Sequence, residues 1–187
     1  MKLDNKIKIF DNIIPFKEQN KLINLFLSNS FPWFYIPDIT HSFKKSQKRH
    51  ALAHRFIKEG HLNSNYFNSV EPIIKHVINK LKYKKVVLSD VRSFLQFPLN
   101  IKSKKLDTPH IDTKHNHIVF LYYVTDSEAS TIIYLDKSFK KYKKIKTKQG
   151  RLVVFPGSLW HTAEQPSKKI RCIINCNIID YTLGNAS

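Results

Sequence analysis

From Val86 onward the apolar residues stop recurring at helical spacing and gather into short β-branched and aromatic runs. Residues 86–88 and 91–97 read as the first strands, and 131–135 and 171–179 continue the pattern. The run 117–124, His-Ile-Val-Phe-Leu-Tyr-Tyr-Val, is nearly all apolar, as a strand covered on both faces must be. Residues 137–148 are almost purely lysine around Phe139 and Tyr142 and predict an exposed basic hairpin. The first half reads differently. Pro15 opens a helix running to about Leu27, with Leu22, Ile23, Phe26 and Leu27 on its apolar stripe. A second helix is predicted over 66–81 from Phe67, Val70, Ile74, Val77, Ile78 and Leu81, with Pro72 kinking it or opening its main part. Between them, the aromatic segment 31–35 reads as core. Residues 41–58, with Lys44, Lys45, Lys48, Arg49 and Arg55, read as a solvated loop or lid. Short strands behind two helices predict an α+β chain whose core is a double-stranded β-helix, or jelly roll. With no repeat or linker, one domain is expected: 1–85 as helical support and lid, 86–179 as the core.

Two polar residues interrupt this apolar half in a way that implies chemistry. His110 and Asp112 flank Ile111, and in a strand over 106–112 their side chains share a face and can grip one ion. A further imidazole, His161, follows the turn Pro156-Gly157. Two imidazoles and one carboxylate on one side of an ion leave the opposite positions open, which suits Fe(II). Arg171 opens the last apolar run, where a guanidinium needs an anionic partner and is well shaped for a carboxylate. His115 and His117 lie close enough to suggest a zinc cluster instead, but cysteine ligands and helical histidine spacing are missing.

His-x-Asp, the segment Gly-Arg-Leu-Val-Val-Phe-Pro-Gly-Ser-Leu-Trp-His and a cation ten positions later resemble the Fe(II)/2-oxoglutarate-dependent oxygenases. The likeness is to their prolyl-4-hydroxylase-like branch, which includes small phage and marine-bacterial members, and it runs from Val86 to Ile179. It implies Fe(II) on His110, Asp112 and His161, and 2-oxoglutarate anchored by Arg171. Dioxygen would be the oxidant and ascorbate a candidate accessory reductant. The family's Tyr-Tyr-Leu-Asn strand falls on residues 122–125 and carries a cosubstrate-binding role to Tyr123. Two departures stand out: Phe97-Pro98 replaces the usual Tyr-Pro, removing a hydroxyl from the cosubstrate, and Ala129-Ser130 replaces a glycine pair. Asp112 favours hydroxylation over halogenation, since related halogenases replace that carboxylate. The implied substrate is a peptidyl residue, proline by default, or a small molecule. The alternatives are oxidation of nucleic acid and a non-enzymatic cupin-like binding module. In the nucleic-acid branch the cosubstrate cation lies further from the distal histidine, within an Arg-rich strand.

The formal net charge is +18, nearly all from lysine, with five arginines. Such a surface attracts polyanions, although lysine with abundant Asn and Ile is also the usage of an AT-rich genome. Readout of bases needs Arg, Asn or aromatic groups placed against them, so weak, salt-sensitive and sequence-indifferent binding of nucleic acid is expected. No apolar run reaches the ~18 residues of a membrane span, and no secretory leader is read at the start. Cys172 and Cys176, four apart on one strand, would sit ~13 Å apart, too far for a disulfide. A cytoplasmic setting, in a bacterial or phage-infected cell, is expected.

Overall fold

Alternation along two central strands decides the layering. In the computed structural model, which describes residues 6–39, 49–99 and 106–181, strand β6 (Ile118–Tyr123) pairs antiparallel with β11 (Arg171–Asp180). Phe120, Tyr122, Cys172, Ile174 and Cys176 point to one face of the sheet, and Val119, Leu121, Tyr123 and Ile173 to the other. One sheet therefore separates two apolar cores.

Around that pair an eight-stranded antiparallel sheet is built. On one side lie β9 (Leu152–Pro156) and then β1 (Lys8–Phe10). On the other lie β5 (Val86–Gln96), β3 (Ala51–Lys58) and β2 (Phe34–Ile36), with β4 (His61–Leu62) paired to β3. The outer face is covered by α1 (Phe16–Phe26) and α2 (Phe67–Lys80), which bury Leu22, Phe26, Val70, Ile74 and Val77. A second sheet of β10 (His161–Ala163), β7 (Ser130–Tyr134) and β8 (Tyr142–Lys146) contributes Ile133 and Ile145 to the core on the inner face. This is a jelly-roll arrangement, but the two sheets do not close into a barrel.

Several sequence expectations are corrected. Residues 86–88 and 91–97 form the single strand β5, whose register against β11 shifts between Asn177 and Ile178. The basic stretch is not all loop, because 51–58 is the interior strand β3. Alanines and two inward-facing polar positions hid its alternation. The described residues among the first 85 supply four strands as well as two helices. Of the aromatic segment, Phe31 is buried, whereas Phe34 and Tyr35 are 63% and 66% exposed on β2. In α1, Leu27 is exposed, while Gln19 is buried and donates to the Ile14 carbonyl. The residues 40–48 of the expected lid, including Lys44, Lys45 and Lys48, and the lysine-rich loop at 100–105 lie outside the described residues. Arg49 is not solvated: it is buried against Asp107, Nη1 to Oδ1 at 2.6 Å.

Cys172 and Cys176 are free and buried on the helical face, and burial pushes the Cys172 thiol up to about 12. No helix among the described residues is long and apolar enough to cross a membrane.

Candidate active site

His161 begins β10, and the chain before His110 runs beside it. His110 and His161 exchange backbone hydrogen bonds of 2.9 Å each way, and Leu106 bridges Glu164. These are isolated bridges rather than the strand expected over 106–112. The pairing slips by one residue between them, since Asp107 donates to the Ala163 carbonyl while His110 pairs with His161. The expected side-chain meeting still occurs. The two imidazole rings lie 4.6 Å apart, and Asp112 Oδ1 is 3.8 Å from His110 Nε2 and 3.9 Å from His161 Nε2. Three potential ligand atoms, one from each residue, fall within 4.8 Å of one another, too far for hydrogen bonds and close enough to converge on one ion.

The surroundings favour the ligand forms. His110 Nδ1 and His161 Nδ1 each lie 3.2 Å from a backbone carbonyl, those of Thr108 and Leu159. An Nδ1–H donated there puts the ring lone pair on Nε2, the atom nearer Asp112. Burial lowers the pKa of His161, with Asp112 pulling the other way. Burial opposes the charge on Asp112, yet His161, Arg92, the Asn175 hydrogen bond and His110 together hold its carboxyl below the usual range. Asn175 Nδ2 donates to Asp112 Oδ2 at 3.0 Å, and Arg92 Nη2 lies 3.5 Å from Oδ1.

His115 and His117 do not join this group. His117 is buried against Gly157, whose N–H donates to the His117 carbonyl at 2.8 Å. A Cβ at Gly157 would run into the His117 ring. Gly157→Ala is therefore expected to cost about 1–3 kcal/mol by overpacking. Each of those lowers the melting temperature by roughly 2–4 °C in a chain of this size. An unchanged melting curve would contradict this packing.

Arg171 starts β11 only 3% exposed. Its Nε, Nη1 and Nη2 donate to Thr147 Oγ1 (3.2 Å), Gln96 Oε1 (2.7 Å) and Thr131 Oγ1 (2.8 Å). All three acceptors are neutral, and among the described residues no carboxylate lies within ion-pairing distance of it. Because Arg only donates, the Gln96 oxygen must face it, which leaves the buried Gln96 Nε2 without a partner. Thr131 Oγ1 also accepts from Tyr123 Oη at 2.8 Å, so its own proton is free to point elsewhere. Arg171, Gln96, Thr131, His110, Asp112 and His161 all line one cavity of about 610 Å³ between the two sheets.

No sequence-family model and no curated protein sequence matches the chain. Solved structures do match. A 2OG-Fe(II) oxygenase family oxidoreductase from Burkholderia pseudomallei superposes with a TM-score of 0.72 at 7% identity, covering 94% of this chain and 85% of that one. The collagen prolyl hydroxylase of Paramecium bursaria Chlorella virus-1, solved with 2OG, gives 0.58 at 16% identity, covering 94% and 97%. A Trichoplax adhaerens prolyl hydroxylase, solved with a hypoxia inducible factor peptide, gives 0.63 at 14%, covering 95% and 85%. The fold is that of the Fe(II)/2-oxoglutarate oxygenases.

On this oxygenase fold the two tyrosine-related expectations land differently. Tyr123 is fully buried behind Thr131 and does not line the cavity; its ring centroid lies 5.6 Å from the Arg171 guanidinium carbon. Two threonines line the cavity: Thr162, whose hydroxyl donates to the Asp107 carbonyl, and Thr131, which stands beside Arg171. Phe97 packs toward the helical core, and its neighbour Gln96 faces the cavity instead. Sequence reasoning missed Gln96, Thr131, Thr147 and Asn175. Their one signal is a polar side chain inside, or just beyond, an apolar strand.

Proposed function

We propose that the chain is an Fe(II)- and 2-oxoglutarate-dependent oxygenase, a single catalytic domain that hydroxylates a residue of a peptide, with proline the first candidate. One observation carries this reading: a convergent His-Asp-His group and a buried arginine with no carboxylate partner line the same cavity. The donor chemistry fits the metal, since two neutral imidazoles and one ionised carboxylate make the ligand set of non-haem Fe(II) oxygenases. It fits the cosubstrate too, because this buried guanidinium has only neutral hydrogen-bond acceptors and, among the described residues, no carboxylate within ion-pairing distance.

His110, Asp112 and His161 would hold the iron. The iron, with 2-oxoglutarate and dioxygen, supplies the oxidising power for hydroxylation. The rest belongs to the chain. Arg171, the free amide of Gln96 and the Thr131 hydroxyl take the far carboxylate of 2-oxoglutarate, replacing the hydroxyl that Phe97 lacks. Val119, Leu121, Phe155 and Ile173 line the cavity between them and keep that region dry. Asn175 fixes the Asp112 carboxylate through the oxygen further from the imidazoles. The peptide bound to the Trichoplax neighbour supports a peptidyl substrate.

The test is succinate formation from 2-oxoglutarate with Fe(II), run against peptide and oligonucleotide pools at about 0.15 M salt, where surface charges are well screened. Consumption stimulated by peptides, with a hydroxylated product, is expected. Oligonucleotides that stimulate it and emerge oxidised would replace this reading with a nucleic-acid oxygenase. No consumption under any condition would favour the binding module.

A further inference from the structure

We propose that Arg55 and Arg92 form an anion subsite beside the metal position, and that the peptide oxidised there carries Asp or Glu next to the reacting residue. This rests on the peptidyl-oxygenase reading above and names its substrate class.

The inner face of the large sheet is organised in rows. Arg171 and Gln96 are paired across β11 and β5, and the next inward row is Ile173, Phe94 and Ala53. Beyond it comes Asn175, Arg92 and Arg55, across β11, β5 and β3. The first and last rows are four residues apart, ~13 Å. The anchor for 2-oxoglutarate and the two arginines thus sit at opposite ends of one cavity, with the His-Asp-His group touching the second end through Asn175 and Arg92.

Two arginines directly opposite on adjacent strands repel, so their placement needs a counter-charge. Asp90 supplies only part of it. Its Oδ1 lies 3.5 Å from Arg55 Nε and 3.6 Å from Arg92 Nε, hydrogen-bonded to neither, and the buried Arg92 Nε has no hydrogen-bond partner. Asp112 is the other carboxylate that reaches Arg92, and its charge belongs to the metal. With the site loaded, a dication, Asp112, the 2-oxoglutarate dianion and Arg171 cancel. Lys58 and Glu59, successive exposed residues at the end of β3, offset each other. Asp38 and Asp107, with Arg49 between them, also line the cavity but gather at the Arg171 end; at the opposite end Arg55 and Arg92 against Asp90 leave one positive charge. A carboxylate matches this in charge and in the fork geometry of the guanidinium.

Asn175 ties this row to the metal position: its Nδ2 is committed to Asp112, and its Oδ1 is buried without a hydrogen-bond partner. On the peptidyl reading, the carboxylate that meets the arginines belongs to an Asp or Glu side chain next to the reacting residue.

The experiment uses the full chain loaded with Mn(II) and 2-oxoglutarate. Blocked pentapeptides with central proline, flanked by Asp or Glu or by Asn or Gln, are titrated calorimetrically. Acidic peptides are expected to bind at least about tenfold more tightly than their amide counterparts, as for a charge-assisted bond. Arg55→Gln should bring that ratio close to one, and Arg55→Lys should restore part of it. Equal binding by the wild type, no binding by any peptide, or a preference that survives Arg55→Gln would overturn the subsite. So would tighter binding of an oligonucleotide that depends on Arg55. Peptide-free succinate formation with Fe(II) reports separately on the oxygenase reading: if it occurs without the acidic preference, only the subsite fails.

Discussion

Asp112→Ala and His110→Ala proteins are expected to fold and to lose all iron-dependent consumption of 2-oxoglutarate. Loss of a partner that merely orients a ligand costs roughly 10- to 100-fold in metal affinity or activity, and removing a ligand itself exceeds that. The fold tolerates the change because these side chains lie at the cavity rather than in either apolar core. At 112, Ala frees Asn175 and Arg92 toward the cavity, where water can meet them. At 110 the backbone bridge to His161 is unaffected, since both its bonds are main-chain. Succinate formation and thermal melting measured together decide the matter. Activity that survives both substitutions would remove the metal assignment.

Arg171→Gln should raise the apparent constant for 2-oxoglutarate while hardly changing metal affinity. Losing one bidentate, charge-assisted contact costs about 2–3 kcal/mol, or roughly thirty- to hundredfold. Glutamine suits the test because it keeps a polar group among Gln96, Thr131 and Thr147. Alanine would leave three buried acceptors without their donor. The effect should fall on the cosubstrate alone, because Arg171 touches none of the three ligand residues. An unchanged constant would pass the role to another cation. Lys168 and Lys169 are the near ones in sequence, and both are exposed.

Much of this site was legible because its residues break a pattern. His110, Asp112, His161 and Arg171 are polar groups where apolar ones are expected, and β6 and β11 could be read from apolar runs. What was not legible depends on pairing. Register alone makes Gln96 the neighbour of Arg171, and places Arg55 opposite Arg92. The cosubstrate hydroxyl was expected on Tyr123, but the stacking of the sheets leaves Thr131 on the cavity and Tyr123 behind it. Strand β3 was obscured because its inward face carries Ala53 and Arg55, which serve the cavity rather than a core. The metal pair was expected on a strand and sits instead beside an isolated bridge to β10, where the pairing register shifts by one residue.

The central claim is that one cavity holds iron at His110, Asp112 and His161 and 2-oxoglutarate between that iron and Arg171. Anaerobic addition of Fe(II) and 2-oxoglutarate tests it most directly, through the visible charge-transfer absorption of the chelated pair. The wild type should show the band, Asp112→Ala should not, and Arg171→Gln should reach it only at higher 2-oxoglutarate. Folded wild-type protein that gives no band, or an Asp112→Ala protein that gives the full one, would contradict the account.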